Sequence, residues 1–142
     1  MRVPLASASL AAILTATGSG AADPALTPGL YQVEVRIGLP HVLDTTGAMI
    51  LSRCVAAADL DSGQAFFVLS DNPLKSCDLL DYHPGPDTAT YRIACRGPNM
   101  GSAVAAFEIT KNSYRGTINM NMGGKNMTMS ETQVGKRVGD CQ

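Results

Sequence analysis

The amino-acid sequence predicts an all-β domain: an antiparallel meander that forms a curved sheet or small barrel, with one short helix and two disulfides. Apolar and polar residues alternate with period two over most of the chain after residue 28, which is the period of a β-strand. Short turn signals rich in glycine and proline separate the alternating runs. The chain of 142 residues is 45% hydrophobic and 16% charged, so it has the composition of one domain with a buried core.

The first 22 residues have the pattern of a secretory signal peptide. Arg2 precedes a short apolar run, and the small residues Gly20 and Ala22 stand at the positions that a signal peptidase reads. The apolar run, residues 5–17, is too short and too rich in Ala, Ser and Thr to span a bilayer. We therefore predict a periplasmic location, a single domain over residues 23–142, and no transmembrane segment after cleavage.

Two strands and a helical candidate follow in the first half of the domain. The run "GLYQVEVRIGL" places apolar side chains on one face of a strand, at Tyr31, Val33, Val35 and Ile37. The run "GAMILSRC" predicts a second strand that ends at Cys54. The next stretch, "VAAADLDSGQAFFVLSDNPLKS", begins with alanines and ends in turn residues, so we interpret it as a short helix or loop.

A hairpin in the middle of the chain favours one pairing of the four cysteines. "CDLLDYH" and "TATYRIACRG" are separated by "PGPD", and a turn centred on Pro86 places Cys77 opposite Cys95. Opposed residues of this kind lie about 4.5 Å apart at Cα, close to disulfide geometry. We therefore favour Cys77–Cys95 and Cys54–Cys141, although four cysteines allow three pairings and the sequence does not choose among them.

The second half predicts three further strands, over residues 102–110, 114–122 and 126–134, with turns at "KNS" and "GGK". Consecutive strands joined by short turns form a meander. About seven strands are then expected, and such a sheet must hide its edges by closing into a barrel or by packing on a helix.

The assembled pattern resembles the DUF3617 family of exported proteobacterial proteins of unknown function. The resemblance rests on "TPGLYQVEV", the four cysteines, "YRGTINMNMGGKNMTM" and the closing "GKRVGDC", and it covers residues 27–141. This chain departs from the family where Tyr31 replaces a frequent tryptophan and where "LPHVLDTTGAM" replaces a stretch rich in Met and Pro. The resemblance implies export and a β-rich fold, and it implies no activity, ligand or catalytic residue.

The last hairpin carries four methionines on one face. A turn at "GGKN" pairs Met122 with Met127 and Met120 with Met129, whereas a tighter "GG" turn pairs Met120 with Met127. Three interpretations stay open: packing in the core, an apolar wall that contacts a ligand, or a Cu(I) or Ag(I) site, because thioethers are soft ligands.

Composition and motifs narrow the function classes. The net charge is −1 and no basic run is present, which argues against nucleic acid as a partner. We find no catalytic motif such as GxSxG and no CxxC zinc pattern, so we predict neither an enzyme nor a resident cofactor. The prediction is an exported, soluble, non-catalytic binding or envelope-associated module, for a small apolar ligand or an envelope component. The alternative is a copper-binding protein that uses the methionine hairpin.

Overall fold

The computed structural model describes residues 26–42, 47–97, 101–124 and 127–142, and the predicted signal peptide lies outside these ranges. Seven antiparallel strands form one unclosed sheet, which confirms the predicted all-β fold in its curved-sheet form. The strands are β1 (Gly29–Gly38), β2 (Met49–Val55), β3 (Asp78–Pro84), β4 (Thr88–Ala94), β5 (Ser102–Ile109), β6 (Ser113–Asn121) and β7 (Thr128–Gly139).

The strand order is β2-β1-β7-β6-β5-β4-β3. Strands β3 to β7 form the predicted meander, and the β1–β2 hairpin adds to β7 at its far side. Strands β2 and β3 are consecutive in the chain yet occupy opposite edges of the sheet. The residues that connect them, 56–77, must therefore cross the whole sheet, and we call them the cover segment.

The cover segment contains the short helix that the sequence predicts. Helix α1 spans Ala57–Ser62, and two 3-10 turns follow at Gln64–Phe66 and Pro73–Ser76. The carboxylate of Asp59 accepts a hydrogen bond from the backbone N–H of Ala56 at 2.9 Å, which satisfies one of the free donors at the start of the helix. The described part of the chain contains no helix long and apolar enough to cross a membrane.

Strand alternation divides the sheet into an inner face under the cover segment and an outer face. In β5 every second side chain is buried, and the residues between them are exposed. Phe66 of the cover segment packs between sheet aromatics, with its ring 5.2 Å from that of Phe107 and 5.3 Å from that of Tyr114. The core of the domain is therefore the layer between the cover segment and the inner face.

Both predicted disulfides are present. Cys77 and Cys95 flank the β3–β4 hairpin with their Cα atoms 4.7 Å apart, as their predicted opposition requires. Cys54–Cys141 joins the end of β2 to the C-terminus across a sequence separation of 87 residues. In the chain-entropy model a loop of that length stabilises the folded state by roughly 4 to 5 kcal/mol.

Candidate binding surface

The inner face is closed by polar anchors between sheet and cover segment. The hydroxyl of Tyr91 donates a hydrogen bond to the carbonyl of Phe66 at 2.7 Å. The guanidinium of Arg53 donates to the carbonyl of Ala65 at 3.1 Å and also to that of Gln64. These side chains satisfy backbone carbonyls of a segment that has no strand partner.

A buried carboxylate forms the strongest of these anchors. Glu131 of β7 is 0% exposed, and its side chain accepts hydrogen bonds from the backbone N–H groups of Leu69 at 2.9 Å and Ser70 at 3.0 Å. The hydroxyl of Ser70 donates to the same carboxylate. Gln133, equally buried, donates from Nε2 to Glu131 at 2.6 Å and to the carbonyl of Phe67 at 2.9 Å. Four donors thus replace the water that a buried carboxylate loses.

The Glu131 anchor was not predicted from the sequence, although its pattern was visible there. Met129 was predicted to share one face with the other three methionines of the hairpin, and alternation along β7 places Glu131 and Gln133 on that same face. A Glu and a Gln at two successive inward positions of a strand are a pattern of buried polar groups that need partners.

Two buried tyrosines of the inner face keep their protons far into the alkaline range. Burial raises the pKa of Tyr114 to about 12. Burial also raises the pKa of Tyr91, with a further rise from the negative charge of Glu131 and an opposing effect of Arg53. Both phenols therefore stay neutral at physiological pH and act on the inner face as packing groups and, for Tyr91, as a hydrogen-bond donor.

The methionine hairpin adopts the wider of the two predicted registers. Met120 pairs with Met129, and the N–H of Met122 donates to the carbonyl of Met127 at 2.8 Å. Met120 is 2% exposed within the core, Met122 and Met129 pack against that core, and Met127 is 60% exposed. This placement supports the core interpretation for Met120, and nothing in the described residues supports the copper alternative.

Among the described residues, the other common metal ligands do not form a cluster either. In the ranges that the structure describes, no three His, Cys, Asp or Glu side chains lie close enough together to hold a metal ion. The cysteines of this part of the chain are all in disulfides.

The outer face of strands β4 to β7, which we call the open face, is not covered by the described residues. Cross-strand pairing aligns its outward side chains in four rows. Neighbouring strands lie about 4.8 Å apart, and outward positions repeat about every 6.8 Å along a strand. The rows contain Thr88, Glu108, Arg115 and Val134; Thr90, Ala106, Thr117 and Thr132; Arg92, Val104, Asn119 and Ser130; and Ala94, Ser102, Asn121 and Thr128.

The β5, β6 and β7 members of the last two rows line the first groove, an open depression of about 550 Å³, whereas Arg92 and Ala94 of β4 lie outside it. Leu39 and Pro40, which follow β1, form one side of it, and Val104 contributes an apolar surface. The polar groups of its lining are hydroxyls and amides, from Ser102, Asn119, Asn121, Thr128 and Ser130. None of the described lining residues is ionisable, so the groove presents hydrogen-bonding groups without net charge.

The first two rows line the second groove, of about 590 Å³. Its floor is low at Ala106, whose small side chain leaves space between the threonines of β4, β6 and β7. An exposed ion pair marks one end, where Nε of Arg115 lies 2.6 Å from the carboxylate of Glu108. The two grooves together make the open face a hydroxyl-rich surface of the size of ligand sites, and its charged side chains, Arg92, Arg115 and Glu108, all lie in ion pairs.

Comparison with known proteins identifies a family. The model of a family described as "Protein of unknown function (DUF3617)" matches residues 26–141. No curated protein and no solved structure matches this chain.

Proposed function

Because this chain belongs to the DUF3617 family, whose function is unknown, we propose its role from its own geometry: an exported, non-catalytic module that binds a neutral polar ligand on its open face. The observation that carries the proposal is the first groove, about 550 Å³ lined by hydroxyls, amides and apolar side chains such as Leu39, Val104 and Met129. Concave sites of this size with a few convergent polar groups are typical of ligand-binding sites.

Two features support a periplasmic location. Disulfides persist in oxidising compartments and are rare in the cytosol, and this domain carries two of them. The N-terminal 22 residues have the pattern of a signal peptide. We propose that the domain acts in the periplasm after that segment is removed.

The chemistry of the lining favours a neutral ligand that carries hydroxyl or amide groups. Asn119 and Asn121 each offer donors and an acceptor, and the hydroxyls of Ser130 and Thr128 do both. A charged ligand would lose hydration in the first groove without meeting an opposite charge there. Met120, Met129, Leu39 and Val104 also line this groove, so the proposed ligand carries an apolar part beside its polar groups.

Two sets of contacts made by the cover segment favour the outer face over the interior as the place of binding. Opening the inner face would break the hydrogen bonds between Glu131 and the Leu69 and Ser70 amides. It would also expose Phe66 and the rings packed on it. A ligand on the open face needs none of these changes.

The test is native mass spectrometry of the protein recovered from its own periplasm, together with two tryptophan variants. Asn119→Trp fills the first groove from an exposed position, whereas the control Gln32→Trp adds the same ring on β1 outside both grooves. We expect a neutral adduct on the wild-type protein and on Gln32→Trp, and its loss in Asn119→Trp. An adduct retained by Asn119→Trp, or no adduct on the wild type, would overturn the proposal.

A further inference from the structure

The unclosed sheet leaves two edge strands, β2 and β3, and the two edges differ sharply. An edge strand presents a row of unpaired backbone N–H and C=O groups that can pair with another strand. Proteins block such edges with bulges, prolines and charged residues. Whether an edge carries these features therefore tells whether it is open to a partner.

Strand β3 carries all of them. Its pairing with β4 is irregular between Leu80 and His83, and Asp81 has a positive φ of 50°. Pro84 has no N–H to donate, and the carboxylate of Asp78 forms an ion pair with Arg96 at 2.9 Å. A flat partner strand cannot form a continuous ladder along this edge.

Strand β2 has neither a bulge nor a proline over its described length, Met49–Val55. Its register with β1 is unbroken from Met49 to Val55, and the strand contains no proline. Its one charged side chain, Arg53, turns inward to the carbonyls of Gln64 and Ala65. Ile50 at the outward face is 55% exposed.

We propose that β2 pairs with β2 of a second copy of this chain, antiparallel and across a two-fold axis at Ser52. An antiparallel edge strand complements itself under a two-fold rotation, because each copy offers the same row of donors and acceptors. This register places Ile50 opposite Cys54 and Leu51 opposite Arg53. The two Arg53 side chains are diagonal neighbours and not directly opposed, and each is held by the carbonyls of Gln64 and Ala65 in its own cover segment.

The difference between the edges also fixes the size of the assembly. A β2–β2 contact uses the same patch on both copies and closes on itself. Continued growth would require the other edge, where the bulge and Pro84 of β3 prevent pairing. The pairing therefore ends at a dimer with fourteen strands, twice the seven of one chain, and not at a fibre.

The first test measures mass in solution across a range of concentrations, by sedimentation or by light scattering after gel filtration. Ile50→Lys adds a charge to the β2 edge, and the monomer tolerates it because position 50 is exposed and lies across from Glu34. The matched control Leu80→Glu adds a charge to the β3 edge, where position 80 is 40% exposed and lies across from Arg92.

We expect a dimer for the wild type and for Leu80→Glu, and at least about a tenfold larger dissociation constant for Ile50→Lys, the ratio that corresponds to about 1.4 kcal/mol. Circular dichroism checks that each variant keeps its strands. A wild type that is monomeric at every concentration, or that forms larger polymers, overturns the proposal. Loss of the dimer in Leu80→Glu but not in Ile50→Lys overturns it as well.

Hydrogen exchange locates the contact independently of the variants. Every second amide of an edge strand points away from the sheet and exchanges rapidly unless a partner covers it. We expect amides within Met49–Val55 to become protected as the protein concentration rises, while amides of β3 do not change. Protection that rises in β3 instead contradicts the proposed edge.

Discussion

The ring of Tyr114 lies directly over Gly135, its partner across strands β6 and β7. A Cβ atom built on Gly135 would stand 2.3 Å from Cε1 of that ring. Phe107 has the same relationship to Gly116, its own cross-strand partner, at 2.3 Å from Cδ1. Two aromatic rings thus lie flat against the inner face in the space that two glycines leave, and the cover segment packs on them.

Replacing Gly135 with alanine adds a methyl group that clashes with the ring of Tyr114. We expect Gly135→Ala to lower the free energy of unfolding by about 1 to 3 kcal/mol, because the ring must leave its position in a packed core. Gly139→Ala is the control in the same strand, since a Cβ there meets nothing within 4 Å. Urea unfolding followed by circular dichroism measures both, and equal effects of the two variants would refute this packing.

Tyr114 and Tyr91 differ in the partners of their hydroxyl groups. The buried hydroxyl of Tyr114 has no hydrogen-bond partner among the described residues, whereas that of Tyr91 donates to Phe66. We expect Tyr114→Phe to leave stability unchanged or to raise it, and Tyr91→Phe to lower it by about 1 to 2 kcal/mol, because a buried carbonyl loses its donor. Thermal and urea unfolding of the two variants test this, and a larger loss for Tyr114→Phe would contradict it.

Glu131 and Glu108 allow the loss of a buried carboxylate to be compared with the loss of an exposed one. Glu131→Ala removes the acceptor of the Leu69 and Ser70 amides, and we expect a loss of about 3 kcal/mol or more from the stability of the domain. Glu108→Ala removes an ion pair whose side chains are both largely exposed, so we expect a change within about 1 kcal/mol. Urea unfolding checks both values.

Hydrogen exchange adds a local readout for Glu131. The amides of Leu69 and Ser70 should exchange faster in Glu131→Ala, because they lose their acceptor while the strands stay paired. Slow exchange of these amides in the variant would show that the carboxylate does not hold the cover segment.

The buried tyrosines predict a loss of stability in strongly alkaline solution. A phenol whose pKa is 10.0 when unfolded and about 12 in the folded protein favours folding fully below pH 10. As the pH rises from 10 to 12 the unfolded chain ionises first, so Tyr114 alone lowers stability by roughly 1.4 kcal/mol per pH unit. Unfolding between pH 9 and about pH 12 measures the slope. Tyr114→Phe should make it shallower, and an unchanged slope would contradict this assignment.

Local pattern was sufficient to predict the strands and the turns, and it favoured the disulfide pairing that the structure has. Alternation over "GLYQVEVRIG" gave the inward residues of β1, and the hairpin around Pro86 gave the Cys77–Cys95 pairing. These features depend on residues that are close in sequence. The alternation of side chains between the two faces of a strand is therefore sufficient to predict them. The methionine register was left with two possibilities, because both turns put the four side chains on the same face.

The order of the strands and the open face depend on contacts between distant residues. Alternation shows that β5 has two faces, but it does not show which one the cover segment crosses. The crossing is set by contacts such as that between Glu131 and Ser70, which lie 61 residues apart. The hydroxyl-rich rows likewise arise only when Thr90, Thr117 and Thr132 are aligned by pairing across four strands.

The central claim is that ligand binds to the open face while the inner face stays closed, and chemical-shift mapping tests it most directly. The wild-type domain, labelled with ¹⁵N, is compared before and after removal of the molecule that co-purifies with it. We predict shifts in the amides of Asn119, Asn121, Thr128 and Ser130, and none in residues 66–70 of the cover segment. Shifts concentrated in residues 66–70, with the open face unchanged, would contradict the account.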